Sequence, residues 1–194
     1  MLKETEKKIE KTDREIVELI ASDSSYFTEI VNRYEAPLMR YIKRLGYFDV
    51  ADVEDVLQDT FLKVYKNLNA YNSDLKFSSW IYRITHNVTI DFLRKKLIRP
   101  EGNYNQVDEE FVSRLSSDFS TDEYTISNEV AREISKAIDT LKEKYRDPII
   151  LYFFENKSYE EISDVLKIPP NTVATRLSRA KSILKTSLKS KEYE

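Results

Sequence analysis

Apolar residues recur at helical spacing along most of the chain. After Thr12 and Asp13, Ile16, Leu19 and Ile20 mark a short helix. A longer one, from about Ser24 or Ser25 to Leu45, carries Phe27, Ile30, Val31, Tyr34, Leu38, Tyr41 and Ile42. Pro37 predicts a kink within it, because proline withdraws an i→i−4 donor. Gly46 is placed to stop it. Asp49 is the expected cap of a third helix reaching about Leu68. "AYNSDLKF" reads as a loop, and Ser78 or Ser79 is the expected cap of a fourth helix ending near Ile98. Ile81, Ile84, Val88 and Phe92 form its buried stripe.

The periodicity then weakens. Residues 100–127 open on Pro100-Glu101-Gly102-Asn103 and are rich in acids and serines, which predicts a linker. A second unit begins with the amphipathic "VAREISKAIDTL". Asp147-Pro148 reads as an N-cap with proline at the first helical position, opening "IILYFFE" as a helix despite its strand-like composition. Ser158 and Glu161 form a capping box ahead of Ile162, Val165 and Leu166. "KIPP" is a tight turn into "NTVATRLSRAKSILK", where Val173, Leu177, Ala180 and Leu184 make one apolar stripe.

Composition agrees with an all-α chain: among 194 residues there are only 2 glycines and 5 prolines, with 34% charged. With no cysteine and a single histidine, His86, neither a disulfide nor a metal site is expected, and no cofactor. The charged start "MLKETEKKIEKTDRE" is no secretory signal, and no apolar run is long enough to cross a bilayer, so a cytoplasmic location is expected. A glycine-rich phosphate loop, a metal cluster and a nucleophile–base pairing are all lacking, which argues against an enzyme.

The net charge of −3 hides segregation. Arg83, Arg94, Lys95, Lys96 and Arg99 face one acid, Asp91, in the fourth helix. Arg176, Arg179, Lys181, Lys185, Lys189 and Lys191 face none in the last one. Between them, Glu101, Asp108, Glu109, Glu110, Asp118, Asp122, Glu123 and Glu129 oppose only Arg114.

A short capped helix, a tight turn and a longer basic helix make a helix-turn-helix arrangement. Thr175, Ser178 and Arg179, outward on the last helix, are short or forked polar groups suited to base edges in a major groove. Asn171, Thr172, Arg176 and Lys181 suit phosphates, which position without specifying. A solvated face on an ordinary helical hairpin is the alternative. "AIDTLKEKYRDPIILYFFENKSYEEISDVLKIPPNTVATRLSRAKSILK" closely resembles region 4 of the extracytoplasmic-function group of bacterial sigma-70 factors. Relatives usually place a serine cap and a glycine before "TV", where this chain has Pro169 and Asn171. Small Ala174 and Ser178 stand on its reading face.

"DVEDVLQDTFLKVYKNL" and "FSSWIYRITHNVTIDFLRKK" resemble region 2 of the same family. Asp55, Gln58, Asp59 and Leu62 share one helix face, which reads as a solvated acidic face or, by the resemblance, as a dock for the β′ clamp helices of RNA polymerase. Trp80, Arg83, Asn87 and Arg94 make an aromatic, amide and arginine surface suited to unpaired bases. A lone tryptophan is also a common core residue. The resemblance places a base pocket at the loop Tyr71–Phe77, including Lys76 and Phe77. It thus implies two small helical domains joined by a flexible acidic linker: an N-terminal extension at 1–23, region 2 at 24–99, the linker at 100–127 and region 4 at 128–194. Region 2 would hold a −10 element as single strand and assist its melting, and region 4 would read a −35 element as duplex. The implied partners are core polymerase, through its β′ clamp helices and β flap, promoter DNA and an anti-sigma factor, without membrane insertion. The linker carboxylates suit either a basic path that later takes RNA or a solubilising tether. The runner-up is a stand-alone helix-turn-helix regulator, which leaves the tryptophan helix and the Asp55 face idle.

Overall fold

The computed structural model describes residues 11–46, 48–96, 134 and 136–191, with side chains as far as 186. Helices account for all of the regular structure among them, and no strand is present there. The acidic linker at 100–127 lies outside the described residues, as do residues 1–10 of the N-terminal extension.

α1 (Asp13–Ile20) begins at a capping box: the Thr12 hydroxyl accepts from the Glu15 amide while the Glu15 carboxylate accepts from the Thr12 amide. Ile16 and Ile20 are buried, and Asp13 takes 2.6 Å and 2.5 Å hydrogen bonds from Arg33 and the Tyr34 hydroxyl, fastening α1 to the next helix. A 3-10 turn at Ser24–Tyr26, capped by Asp23, leads into α2 (Phe27–Leu45), which runs through Pro37. Gly46 ends α2 as expected. A Cβ there would lie 2.8 Å from a methyl of buried Leu93, so the position demands glycine for space rather than for backbone freedom.

Asp49 caps α3 (Val50–Lys66), which ends two residues short of the expected Leu68 because a 3-10 turn takes over at Leu68–Ala70. α4 (Phe77–Lys96) starts at Phe77, one residue before the expected cap. Of the predicted stripe, Ile81 and Val88 are buried but Ile84 and Phe92 only half-buried, while Ser79, Tyr82 and Leu93 are buried elsewhere around the helix. Lys96 bonds buried Asp52, tying the end of α4 to the start of α3.

In the second unit, Ile134 and Ile138 are buried ahead of α5 (Glu143–Ile149). α5 corrects the expected start at Asp147. The helix opens four residues before Asp147, and Pro148 sits inside it, because the Asp147 carboxylate turns to His86 instead of capping. The "ILYFF" run is helical, as a π-helical segment over Ile150–Phe154. α6 (Tyr159–Leu166) carries the predicted Ser158/Glu161 capping box and ends on Lys167 in the left-handed conformation, φ 53°. α7 (Pro170–Lys191) buries Val173, Leu177, Ala180 and Leu184, the predicted stripe, against α5 and α6. Two helical units are therefore present, and their buried side chains form one continuous cluster, with α6 packed on α4.

Ser158 anchors the turn that positions α6 and, through it, α7. Ser158→Ala is expected to destabilise the folded chain by about 1 kcal/mol, while Glu161→Gln, which keeps the reciprocal capping bond, is expected to cost about 0.5 kcal/mol or less; urea unfolding measures both.

Candidate nucleic-acid interface

α7 presents its expected outward face to open solvent. Thr175, Ser178, Arg179 and Ser182 are exposed and line a shallow groove of about 770 Å³ with Ala174 and Ile183. Ile183, 38% exposed, is an apolar member that periodicity alone did not single out. The Thr175 hydroxyl donates to the Asn171 carbonyl at 2.8 Å, which fixes its rotamer at the start of the face. Asn171 is exposed and Thr172 half-buried. Arg176 points elsewhere, into a cleft shared with His86, Lys142 and Asp147. The Lys181 ammonium lies 5.0 Å from the Tyr152 ring centroid and 5.6 Å from that of Phe153, a cation–π setting rather than an open approach to phosphate.

On α4 the candidate strand-binding residues divide. Asn87 and Arg94 are exposed, Arg83 is half-buried, and Lys76 is exposed at the start of the helix. Phe77 and Trp80 are 3% and 5% exposed. Their rings pack on each other and on Tyr71, with centroids 5.3–5.5 Å apart, and the Tyr71 hydroxyl donates to the Leu75 carbonyl at 2.5 Å. The tryptophan thus sits in an aromatic cluster that shapes the Tyr71–Phe77 loop. Asp55, Gln58 and Asp59 all lie exposed on α3, with Leu62 at 48% exposure. Val50 and Tyr65, also exposed on α3, enlarge the apolar part of that helix's surface beyond what the sequence suggested.

A third feature was not visible in the sequence. Where the two units meet, Arg44 donates to Glu155 at 2.7 Å, and the Tyr82 hydroxyl donates to the other oxygen at 2.8 Å. The Arg44 and Glu155 side chains are 6% and 4% exposed, and the guanidinium stacks 4.6 Å over Phe154. His86 lies 3.1 Å from Asp147 with a side chain 13% exposed. Buried Arg146 donates to the Leu45 carbonyl at 3.3 Å. Burial pushes the Glu155 carboxyl up from its ordinary range, against the pull of Arg44 and Tyr82. Burial likewise depresses the Lys157 ammonium, which lies 4.2 Å over the Tyr82 ring, against Glu161 and Glu155. Arg44 and Glu155 are 111 positions apart, so no local pattern announces the pairing.

Among the described residues, no cluster of metal-ligating side chains and no helix long and apolar enough to cross a membrane is present.

Comparison with known proteins accords with these surfaces. Residues 30–97 match the sigma-70 region 2 family, and residues 131–184 match the sigma-70 region 4 family. The chain is 30% identical over 188 residues to the ECF RNA polymerase sigma factor SigW of Bacillus subtilis (strain 168), covering 91% of this chain and 96% of that one. It is 31% identical over 180 residues to the ECF RNA polymerase sigma-E factor of Escherichia coli (strain K12), covering 89% and 92%. Among solved structures, CnrH in complex with the cytosolic domain of CnrY is similar at a TM-score of 0.65 with 25% identity, over 92% of this chain and 97% of that one. The sigma factor RpoE of Bartonella quintana shares the fold, with a TM-score of 0.57 at 20% identity, over 84% and 96%.

The seam between the units rests on a buried carboxylate whose removal strands its partners. Glu155→Ala leaves the Arg44 charge and the Tyr82 hydroxyl buried without that acceptor, and is expected to destabilise the chain by about 3–5 kcal/mol in urea unfolding.

Proposed function

Because this chain belongs to the extracytoplasmic-function group of sigma-70 factors, which direct core RNA polymerase to promoters and assist −10 melting, we propose that residues 128–194 read the −35 element through α7 while residues 24–99 hold the opened −10 strand. The open basic face of α7 is the observation that supports the first half. Thr175, Ser178 and Arg179 project from it into solvent, as direct readout of base edges requires. Ala174 and Ile183 add apolar contact suited to a thymine methyl. Asn171 and Thr172 approach phosphates, with Arg176 and Lys181 on the flanks.

For the −10 strand, Asn87, Arg94 and Lys76 supply polar and cationic contacts along α4, with Arg83 beside them. Phe77 and Trp80 support the Tyr71–Phe77 loop from inside, and a base drawn from the stack would meet that loop. Melting is driven by differential binding: trapping unpaired bases offsets an unstacking cost of a few kcal/mol per step. Catalysis of RNA synthesis belongs to the polymerase, and this chain acts as an initiation factor.

Core polymerase is engaged through the exposed face of Asp55, Gln58, Asp59 and Leu62 in this proposal. Its carboxylates offer acceptors to basic groups on the β′ clamp helices, and Leu62 offers an apolar point to bury. Region 4 would lean on the β flap. A cytoplasmic location follows from that partnership, and an anti-sigma factor belongs to the same proposal; the similar CnrH was solved with the cytosolic domain of CnrY.

Transcription by purified core polymerase with this chain on a random promoter library tests the reading. Selected promoters should share a −35 and a −10 motif, and transcription without selection would refute it. In the same assay Arg179→Ala is expected to relax one base of the −35 motif, losing about 1–3 kcal/mol of discrimination there. Asp59→Ala with Leu62→Ala should weaken core binding by about tenfold or more in a direct titration, with unfolding stability nearly unchanged.

A further inference from the structure

α1 reaches the Tyr71–Phe77 loop through one side chain of α2. Both oxygens of the Asp13 carboxylate are engaged: one accepts from Arg33 at 2.6 Å and the other from the Tyr34 hydroxyl at 2.5 Å. Arg33 also donates to the Lys11 carbonyl at 2.7 Å, so the start of α1 is held twice over. The Tyr34 ring, 7% exposed, stands edge-on to Phe77 with centroids 5.7 Å apart. Phe77 opens α4 and packs on Tyr71 at the other end of the loop. A continuous line of contacts thus runs from Asp13 through Tyr34 and Phe77 to Tyr71.

The loop itself is closed into a ring. The Tyr71 hydroxyl donates across it to the Leu75 carbonyl, the Leu75 amide donates to the Asn72 carbonyl at 3.1 Å, and the Asp74 amide donates to the Asn72 side chain at 2.9 Å. Asn72, Ser73 and Asp74 are left exposed at its tip. Burial, and after it the bond to Asp13, pushes the Tyr34 hydroxyl well above its ordinary range. Burial and then the field of Asp13 push the Tyr71 hydroxyl the same way, against Arg14. Both phenols therefore remain donors at neutral pH.

We propose that Asp13 and Tyr34 are positioning residues for −10 base selection: through their bond, α1 holds Phe77 and Tyr71 so that the loop tip meets an unstacked base in one geometry. This role presupposes the base-holding loop proposed above, and it falls to a helix that lies ahead of the region 2 match, which begins at residue 30. The physical reason is preorganisation. A base taken from the stack recovers its unstacking cost best where the receiving groups are already in place. A loop free to shift can re-form contacts to a wrong base, so stiffness governs selection more than affinity.

Tyr34→Phe keeps the ring against Phe77 and releases only the bond to Asp13, and Asp13→Ala removes the acceptor. Holoenzyme assembled from core polymerase and each full chain is titrated with single-stranded −10 oligonucleotides carrying each of the four bases at every position in turn. Both variants are expected to lower the preference at the loop-read position by about three- to tenfold, with core affinity and −35 duplex binding unchanged. An undiminished preference in both would overturn the proposal. Ile16→Val loosens the same helix without touching either bond, and should leave the preference intact. Equal relaxation by Ile16→Val would reduce Asp13 and Tyr34 to general stability and overturn it as well. Trp80, the chain's one tryptophan, lies 5.3 Å from Tyr71 and reports on the loop in the free chain. Acrylamide should quench its fluorescence more strongly in Tyr34→Phe and Asp13→Ala, and unchanged quenching in both counts against the brace. Asn72→Ala with Asp74→Ala tests the loop separately. A preference lost there but kept in the Asp13 and Tyr34 variants refutes the positioning role alone; a preference kept there refutes the base-holding loop and the positioning role with it.

Discussion

α4 is required to be buried on more than one side, and the rest of the molecule is arranged around that constraint. Its Ile81 and Val88 complete the core with α2 and α3, while Tyr82 and His86 are covered by the second unit. A tyrosine hydroxyl placed in such a position needs an acceptor, which Glu155 provides. Glu155 in turn needs a cation at low exposure, and Arg44 supplies it from the last turn of α2. Each group is tolerable only because the next is present, so the seam behaves as one unit rather than as separate bonds.

The same constraint takes apolar and hydroxyl side chains of α4 into the core and leaves Lys76, Asn87, Arg94, Lys95 and Lys96 exposed, with Arg83 half-buried. α7 has the simpler task. One stripe, Val173 to Leu184, satisfies its packing, and the opposite side is left for a groove. A net-acidic chain with one unobstructed basic helix gains little from indiscriminate attraction to phosphate, and selectivity then rests on side-chain fit.

Several local signals in the sequence were read correctly, although the expected Ser78 or Ser79 cap lies inside α4. The Ser158/Glu161 capping box, the Asp49 cap, the Gly46 stop and the stripe of α7 were legible because each depends on residues within one or two turns. Asp147 was misread for an instructive reason. Asp-Pro is a strong N-cap signal, but the carboxylate was claimed by His86, 61 positions away, and tertiary pairing overrode local preference. Trp80 shows the reverse ambiguity. Its helix face was legible, but its depth was set by Tyr71 and Phe77 folding over it. The exposed Asp55–Leu62 face needed only helical spacing, whereas the Arg44–Glu155 pair needed the whole fold.

A seam of buried charges contributes little net stability of its own. Desolvating Arg44 and Glu155 costs several kcal/mol per ion, and their mutual attraction returns a similar amount, so the packing gains little from the pair itself. The Tyr41 hydroxyl, buried without a hydrogen-bond partner, weighs against this packing by about 1–3 kcal/mol. Apolar burial along α4 and α6 weighs in favour.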